Sequence, residues 1–183
     1  MLHFTKLLCV FLLVGLILSG CKKDEKEVDP ANTVSYDGVS YDLAKGLLLD
    51  FGQHAKGQGY NIDVYLMSSG LTVHEKGGMP DSTSGKGELV FFEMFSPVAN
   101  SLAAGTYNFD GLQSAAVSTF DFGETFINAN YQTGTGEVYR IVSGKVVVEK
   151  NNEIYTLTFD CTDYLGKPIK GFYKGPLKYY DAR

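Results

Sequence analysis

The chain has 183 residues, with 21 acidic and 16 basic side chains for a formal charge of −5. An acidic balance argues against nucleic-acid binding, which selects for basic patches. Twelve Tyr, twelve Phe, 21 Gly and no Trp favour strands and tight turns over helices.

In chain order, Met1 to Lys6 carries one firm cation, Lys6, and leads into the apolar run Leu7 to Leu18. At about 1.5 Å rise per residue such a run reaches about 18 Å as a helix, too short for a hydrocarbon core of about 30 Å, so it is expected to be a signal-peptide core. It ends in Leu18-Ser19-Gly20-Cys21, which resembles the lipobox of bacterial lipoproteins. The resemblance implies removal of residues 1–20, acylation of Cys21 as the new N-terminus, and a palmitate-type anchor of three chains. One buried chain holds only marginally whereas two or more hold stably.

Residues 21–33 follow as a lipidated N-terminus and charged tether, with Val28 and Ala31 its only apolar side chains besides the anchor cysteine. They are expected to stay solvated, with a reach of roughly 20 Å. Lys23-Asp24-Glu25 looks like the acidic export signal that carries some lipoproteins of the Bacteroidota to the outer face of the outer membrane. That resemblance leaves the periplasmic and surface faces both open. Cys9 leaves with the signal and Cys21 is committed to lipid, so Cys161 has no cysteine left to pair with.

Residues 34–183 are expected to form one all-β domain. Val34 to Tyr41 reads as a hairpin turning at Asp37-Gly38. Leu47 to Phe51 is a strand, and Tyr60 to Met67 alternates, with Tyr60, Ile62, Val64 and Leu66 on one face. Leu71 to His74 reads as a short strand, and Glu75 to Lys86 as a long exposed loop. Glu88 to Phe95 is apolar on both faces, as for a strand covered on both sides. Ser96 to Gly105 begins Ser-Pro and ends in Gly, which predicts one short helix. Thr106–Phe109, Val117–Phe122, Phe126–Tyr131, Val138–Val142, Gly144–Glu149, Glu153–Cys161 and Pro168–Tyr180 complete about ten strands. In Glu153–Cys161 the inward set is Tyr155, Leu157, Phe159 and Cys161, and in Pro168–Tyr180 one face carries Ile169, Tyr173, Leu177 and Tyr179. The spacing predicts a single antiparallel barrel or sandwich, rich in meander connections.

Gly105-Thr106-Tyr107, Gly144-Lys145-Val146-Val147-Val148, Tyr155-Thr156-Leu157-Thr158-Phe159 and Gly171-Phe172-Tyr173-Lys174-Gly175-Pro176-Leu177 together are similar to small uncharacterised all-β envelope lipoproteins of Bacteroidota. The resemblance implies an anchored envelope domain and brings no catalytic residues.

Candidate chemistry is sparse. His54 and His74 lack metal-ligand spacing, so no metal or other cofactor is expected. The register of Cys161 places its thiol in the core. Asp121, Glu124, Asp160 and Asp163 are the acids considered for a glycosidase pair. Asp121-Phe122-Gly123 spells a kinase motif without the rest of a kinase, and Gly85-Lys86-Gly87 reads as a turn. Lys170, Phe172, Lys174 and Lys178 form a basic, aromatic stripe, the candidate site for an anionic glycan or lipid headgroup. Tyr65, Tyr131, Tyr139 and Tyr180 are candidates for stacking on sugar rings. The expectation is a non-catalytic, lipid-anchored binding or accessory module for a glycan, small ligand or envelope protein. A fimbrillin-like surface subunit and a glycan-active hydrolase stand as alternatives.

Overall fold

The computed structural model describes residues 29–183; the signal segment, the lipobox with Cys21 and the Lys23-Asp24-Glu25 stretch lie outside these. Eleven strands follow in order: β1 (Thr33–Tyr36), β2 (Val39–Asp42), β3 (Lys45–Gln53), β4 (Tyr60–Met67), β5 (Leu71–Lys76), β6 (Met79–Ser96), β7 (Gly105–Phe109), β8 (Thr119–Asn130), β9 (Thr135–Asn151), β10 (Ile154–Asp163) and β11 (Pro168–Asp181). The domain is an all-β, closed eight-stranded barrel with additional strands.

Its closure follows from strand parity. β3, β4, β6, β8, β9, β10 and β11 pair antiparallel in succession. An odd run of alternating strands leaves the first and last pointing the same way. The seam is accordingly parallel, Gly46–Asp50 of β3 against Leu177–Asp181 of β11. β8 and β9 part beyond Glu124 and Arg140, and β7 fills the gap, antiparallel to β9 and parallel to β8. These two parallel pairs are where the fold departs from the simple antiparallel meander expected.

Turn chemistry sets the hairpins. Asp37 and Gly38 take φ of 49° and 85° between β1 and β2, as the twist of a tight hairpin requires. Between β10 and β11 the buried Asp163 carboxylate accepts the Leu165 and Lys167 amides, each at 2.8 Å. It also accepts the Tyr36 hydroxyl at 2.9 Å, and Tyr36 stacks on Tyr139 at 3.8 Å between centroids. The β1–β2 hairpin is thereby fixed to the last hairpin of the barrel.

The ordered part begins before Val34. Asn32 imitates a strand residue, accepting the Lys174 amide at 2.7 Å and donating to the Lys174 carbonyl at 3.1 Å. Asp29 pairs with the Lys174 ammonium at 2.6 Å. The last residues of the expected tether are therefore tied to β11.

Three local expectations are corrected. No helix forms among the described residues, and residues 97–104, between the ends of β6 and β7, are turn, bend and irregular chain. The Ser96 hydroxyl donates to the Ser101 carbonyl and accepts the Ala103 amide, competing with helical backbone bonds. Asn100 takes a left-handed φ of 61°. Glu75–Lys86 is not a loop but a hairpin turning at Gly77-Gly78, both at positive φ. The strand pairs 117–131 and 138–149 each merge into one long strand, β8 and β9.

An eight-stranded barrel is just wide enough for side chains to fill. Here Phe92 packs edge-on to Phe120 and Phe159 at 5.5 and 5.4 Å, with Ile62, Val64, Leu66, Tyr107, Leu157 and Tyr173 around them. A methyl group on Gly171 would lie 2.1 Å from Phe159 Cζ and 2.6 Å from the Thr33 carbonyl oxygen. Gly171→Ala should thus cost about 2–3 kcal/mol by overpacking, read as a lowered midpoint of chemical denaturation; an unchanged midpoint would contradict this packing.

Candidate functional site

A second apolar cluster lies on the outside of the barrel. Leu47, Met67, Leu71, Leu89 and Tyr180 are buried there, with Leu49, Tyr65, Val73, Met79, Phe91 and Phe126 packed against them. They are covered because β5 and the first half of β6 fold back over the outer faces of β3, β4 and the second half of β6. The fold-back occurs at a glycine crossing. A methyl group on Gly85, at φ +96°, would meet the Gly70 carbonyl at 2.1 Å, and one on Gly70 would meet the Lys86 carbonyl at 2.2 Å. Gly85-Lys86-Gly87 is therefore the bend within a strand, not a turn between two.

The flap is pinned by Glu75 of β5, which accepts from Lys178 and, at 2.9 Å, from the Tyr180 hydroxyl of β11. Those hydrogen bonds, Lys178 first, hold the Glu75 carboxyl below its ordinary range. Lys45 donates to the Leu71 carbonyl at the base of the flap.

Between flap and barrel wall lies a cleft of about 440 Å³, within the range of small-molecule sites. Its floor is Leu47 and Leu49 of β3, Tyr65 and Met67 of β4, Leu89 and Phe91 of β6, and Phe122, Glu124 and Phe126 of β8. Val73 and Pro80 to Thr83 form the roof, and Tyr131 closes one end. Tyr65 stacks on Phe91 at 4.8 Å and 28°, Phe91 meets Phe122 at 5.8 Å, and the Arg140 guanidinium lies 4.7 Å from the Phe122 centroid. The row crosses four strands because the register brings Tyr65 opposite Phe91, Phe91 opposite Glu124, and Glu124 opposite Arg140.

Beside this row the face is acidic. Asp63 and Glu93 stand opposite one another across β4 and β6, and Asp63 is only 9% exposed. Burial, and next the Glu93 charge, push the Asp63 carboxyl up to about 7, against the pull of the Tyr65 hydroxyl hydrogen bond at 3.2 Å. Asp121 sits at a β-bulge of the β6–β8 pairing. Burial and Glu93 raise it to about 6. Glu93 itself accepts from the Asn61 amide at 2.7 Å.

The other sequence candidates disperse. Lys170 pairs with Asp160 at 3.2 Å, Lys174 with Asp29, and Lys178 with Glu75, while Phe172 is half-buried between β10 and β1. The stripe is thus three separate ion pairs to three elements rather than a free basic surface. Of the four acids considered as a pair, Glu124 lines the cleft and Asp121 flanks it, whereas Asp160 is held by Lys170 and Asp163 holds a turn. Tyr65 and Tyr131 line the cleft; Tyr139 stacks on Tyr36 and Tyr180 is buried under the flap. In β11 it is Tyr180 rather than Tyr179 that is buried, because the flap covers the outer face there. His54 lies edge-on to Phe95 and His74 contacts Ser84 on the flap. Among the described residues no group of three His, Cys, Asp or Glu side chains is placed to hold a metal ion. Cys161 is buried, and burial pushes its thiol up to about 12. Asp63 and Glu93 had no sequence signal beyond lying on outer-facing positions.

No protein-family model, curated protein or solved structure matches this chain.

Because Asp63 titrates near 7 in the fold and near 4 when unfolded, its contribution is fully present below about pH 4 and is lost as pH rises through 7. Asp63→Asn should therefore stabilise the protein by on the order of 2 kcal/mol at pH 8, the gain vanishing near pH 4. Melting curves at the two pH values test this; an equal effect at both would refute the assignment.

Proposed function

We propose that this protein is a lipid-anchored module of the cell envelope, held in the outer membrane through Cys21, which binds a glycan, small ligand or envelope protein without catalysis. The observation that carries the binding reading is the aromatic cleft under the β5–β6 flap. The barrel interior is filled with side chains, so a ligand is received on the outer wall, where five aromatic rings line one concavity. Neither histidine nor Cys161 lines it. A fimbrillin-like role is the second reading: the barrel strand β11 is bonded along both of its sides, so strand exchange would have to use the short outlying edges β2 or β5. The outer-membrane address rests on the lipobox and the Lys23-Asp24-Glu25 stretch.

Two measurements test the reading. Cys21→Ala should move the protein from the membrane pellet to the soluble fraction and abolish its labelling by radioactive palmitate; retention of both would refute the anchor. A screen of the full-length protein against glycans and envelope extracts should yield a ligand whose affinity drops about tenfold in Phe91→Ala, as expected for loss of one stacked ring. Binding insensitive to that substitution would place the site elsewhere.

A further inference from the structure

The lining of the cleft has one sign of charge. Among the described residues, Glu124 on the floor and Asp81 on the roof are its only charged side chains, and no Lys, Arg or His lines it. Immediately beyond Tyr65 and Phe91, the floor continues into the facing carboxylates Asp63 and Glu93. Three cations occupy strand positions directly opposite lining residues: Lys45 opposite Met67, Lys178 opposite Leu47, and Arg140 opposite Glu124. Lys45 and Lys178 are engaged outside the lining, while Arg140 covers one of the lining rings. Lys45 donates to the Leu71 carbonyl, Lys178 is held by Glu75, and Arg140 lies over Phe122. The cleft therefore combines ring faces, which carry negative potential, with two carboxylates that make no ion pair among the described residues, at a low-dielectric wall. A low-dielectric cleft focuses such a field.

An anionic ligand would meet repulsion from Glu124 and Asp81. A neutral sugar could stack on the rings but would leave the carboxylate excess unanswered. A cation over an aromatic face gains about 0.5–2 kcal/mol, more as water is excluded. At the end of this aromatic row the protein already makes such a contact, with Arg140 over Phe122. We propose that the cleft receives a small organic cation with an apolar body, its ammonium or guanidinium head set between Glu124, Asp81 and the Phe91 and Phe122 rings, and its body on the aliphatic floor. This rests on the binding-module reading and names the ligand class of the same site.

The test titrates full-length protein in micelles of a neutral polyoxyethylene detergent, with empty micelles as blank, by calorimetry at low and high salt. The probes are benzyltrimethylammonium, its neutral carbon isostere neopentylbenzene, the anion benzenesulfonate, and cellobiose. The cation is expected to bind about tenfold more tightly than the isostere and to weaken with added salt. Glu124→Gln should reduce that affinity about fivefold, and Arg140→Gln, which removes the competing cation, should increase it. Lys170→Gln, on another face, should leave it unchanged. Equal binding of isostere and cation, tighter binding of benzenesulfonate, or no binding of the cation would each overturn the proposal. Binding of cellobiose alone would overturn it too while leaving the module reading intact, whereas failure of every probe together with an empty glycan and envelope screen would remove both.

Discussion

The space inside a barrel of eight strands is fixed by geometry, and in this protein it is consumed by side chains. Phe92, Phe120 and Phe159 meet at its centre, and Gly171 is small because the Phe159 ring leaves no room for more. A barrel so filled has no internal site to offer. Any recognition must use the outer wall, and the outer wall of a soluble barrel is ordinarily polar. The departure from that rule, an aliphatic and aromatic field across β3, β4, β6 and β8, is tolerated because the β5–β6 hairpin lies over part of it. The wall and its cover leave a cleft between them.

The electrostatics of the same face follow from register. Pairing β4 with β6 puts Asp63 opposite Glu93, and like charges facing across strands disfavour joint ionisation. Such an arrangement destabilises the fold at neutral pH, while it sets acidic side chains beside the aromatic row. Asn61 and the Tyr65 hydroxyl partly satisfy the two carboxylates without introducing a counter-charge.

Much of this architecture was legible in the sequence. The inward positions of Tyr60–Met67 and Glu153–Cys161, the Asp37-Gly38 turn and the core thiol follow from period-two alternation and turn chemistry. The two-sided apolar character of Glu88–Phe95 announced a strand covered on both faces, and the cover proves to be the flap. Of the flap, the strand at Leu71–His74 was legible, but its partner was not, because residues such as Ser82, Ser84 and Lys86 carry no apolar alternation; the two strands are held by backbone pairing and by Glu75. The short helix expected at Ser96–Gly105 was misjudged because the Ser96 side chain bonds its own loop. The cleft could not be read because Tyr65, Phe91 and Phe122 are neighbours only through cross-strand register. The partners of the lysine stripe were illegible for a related reason, since Asp160, Asp29 and Glu75 reach Lys170, Lys174 and Lys178 across strand pairings or from places distant in the chain.

The attachment of Asn32 and Asp29 to Lys174 also has a mechanical side. Under the proposed N-terminal anchor, any drag would enter at this point, and the first bonds to bear it would be the paired Asn32 amide and the Asp29–Lys174 ion pair. Behind them stands the short β1–β11 ladder. The load then passes to β11, which is anchored along its length by β10 and at its far end by the parallel seam with β3. The Asn32 and Asp29 contacts lie outside the closed wall, whereas β1 behind them places Val34 and Tyr36 in the buried core, so the first contacts to part would be the ones that cost the interior nothing.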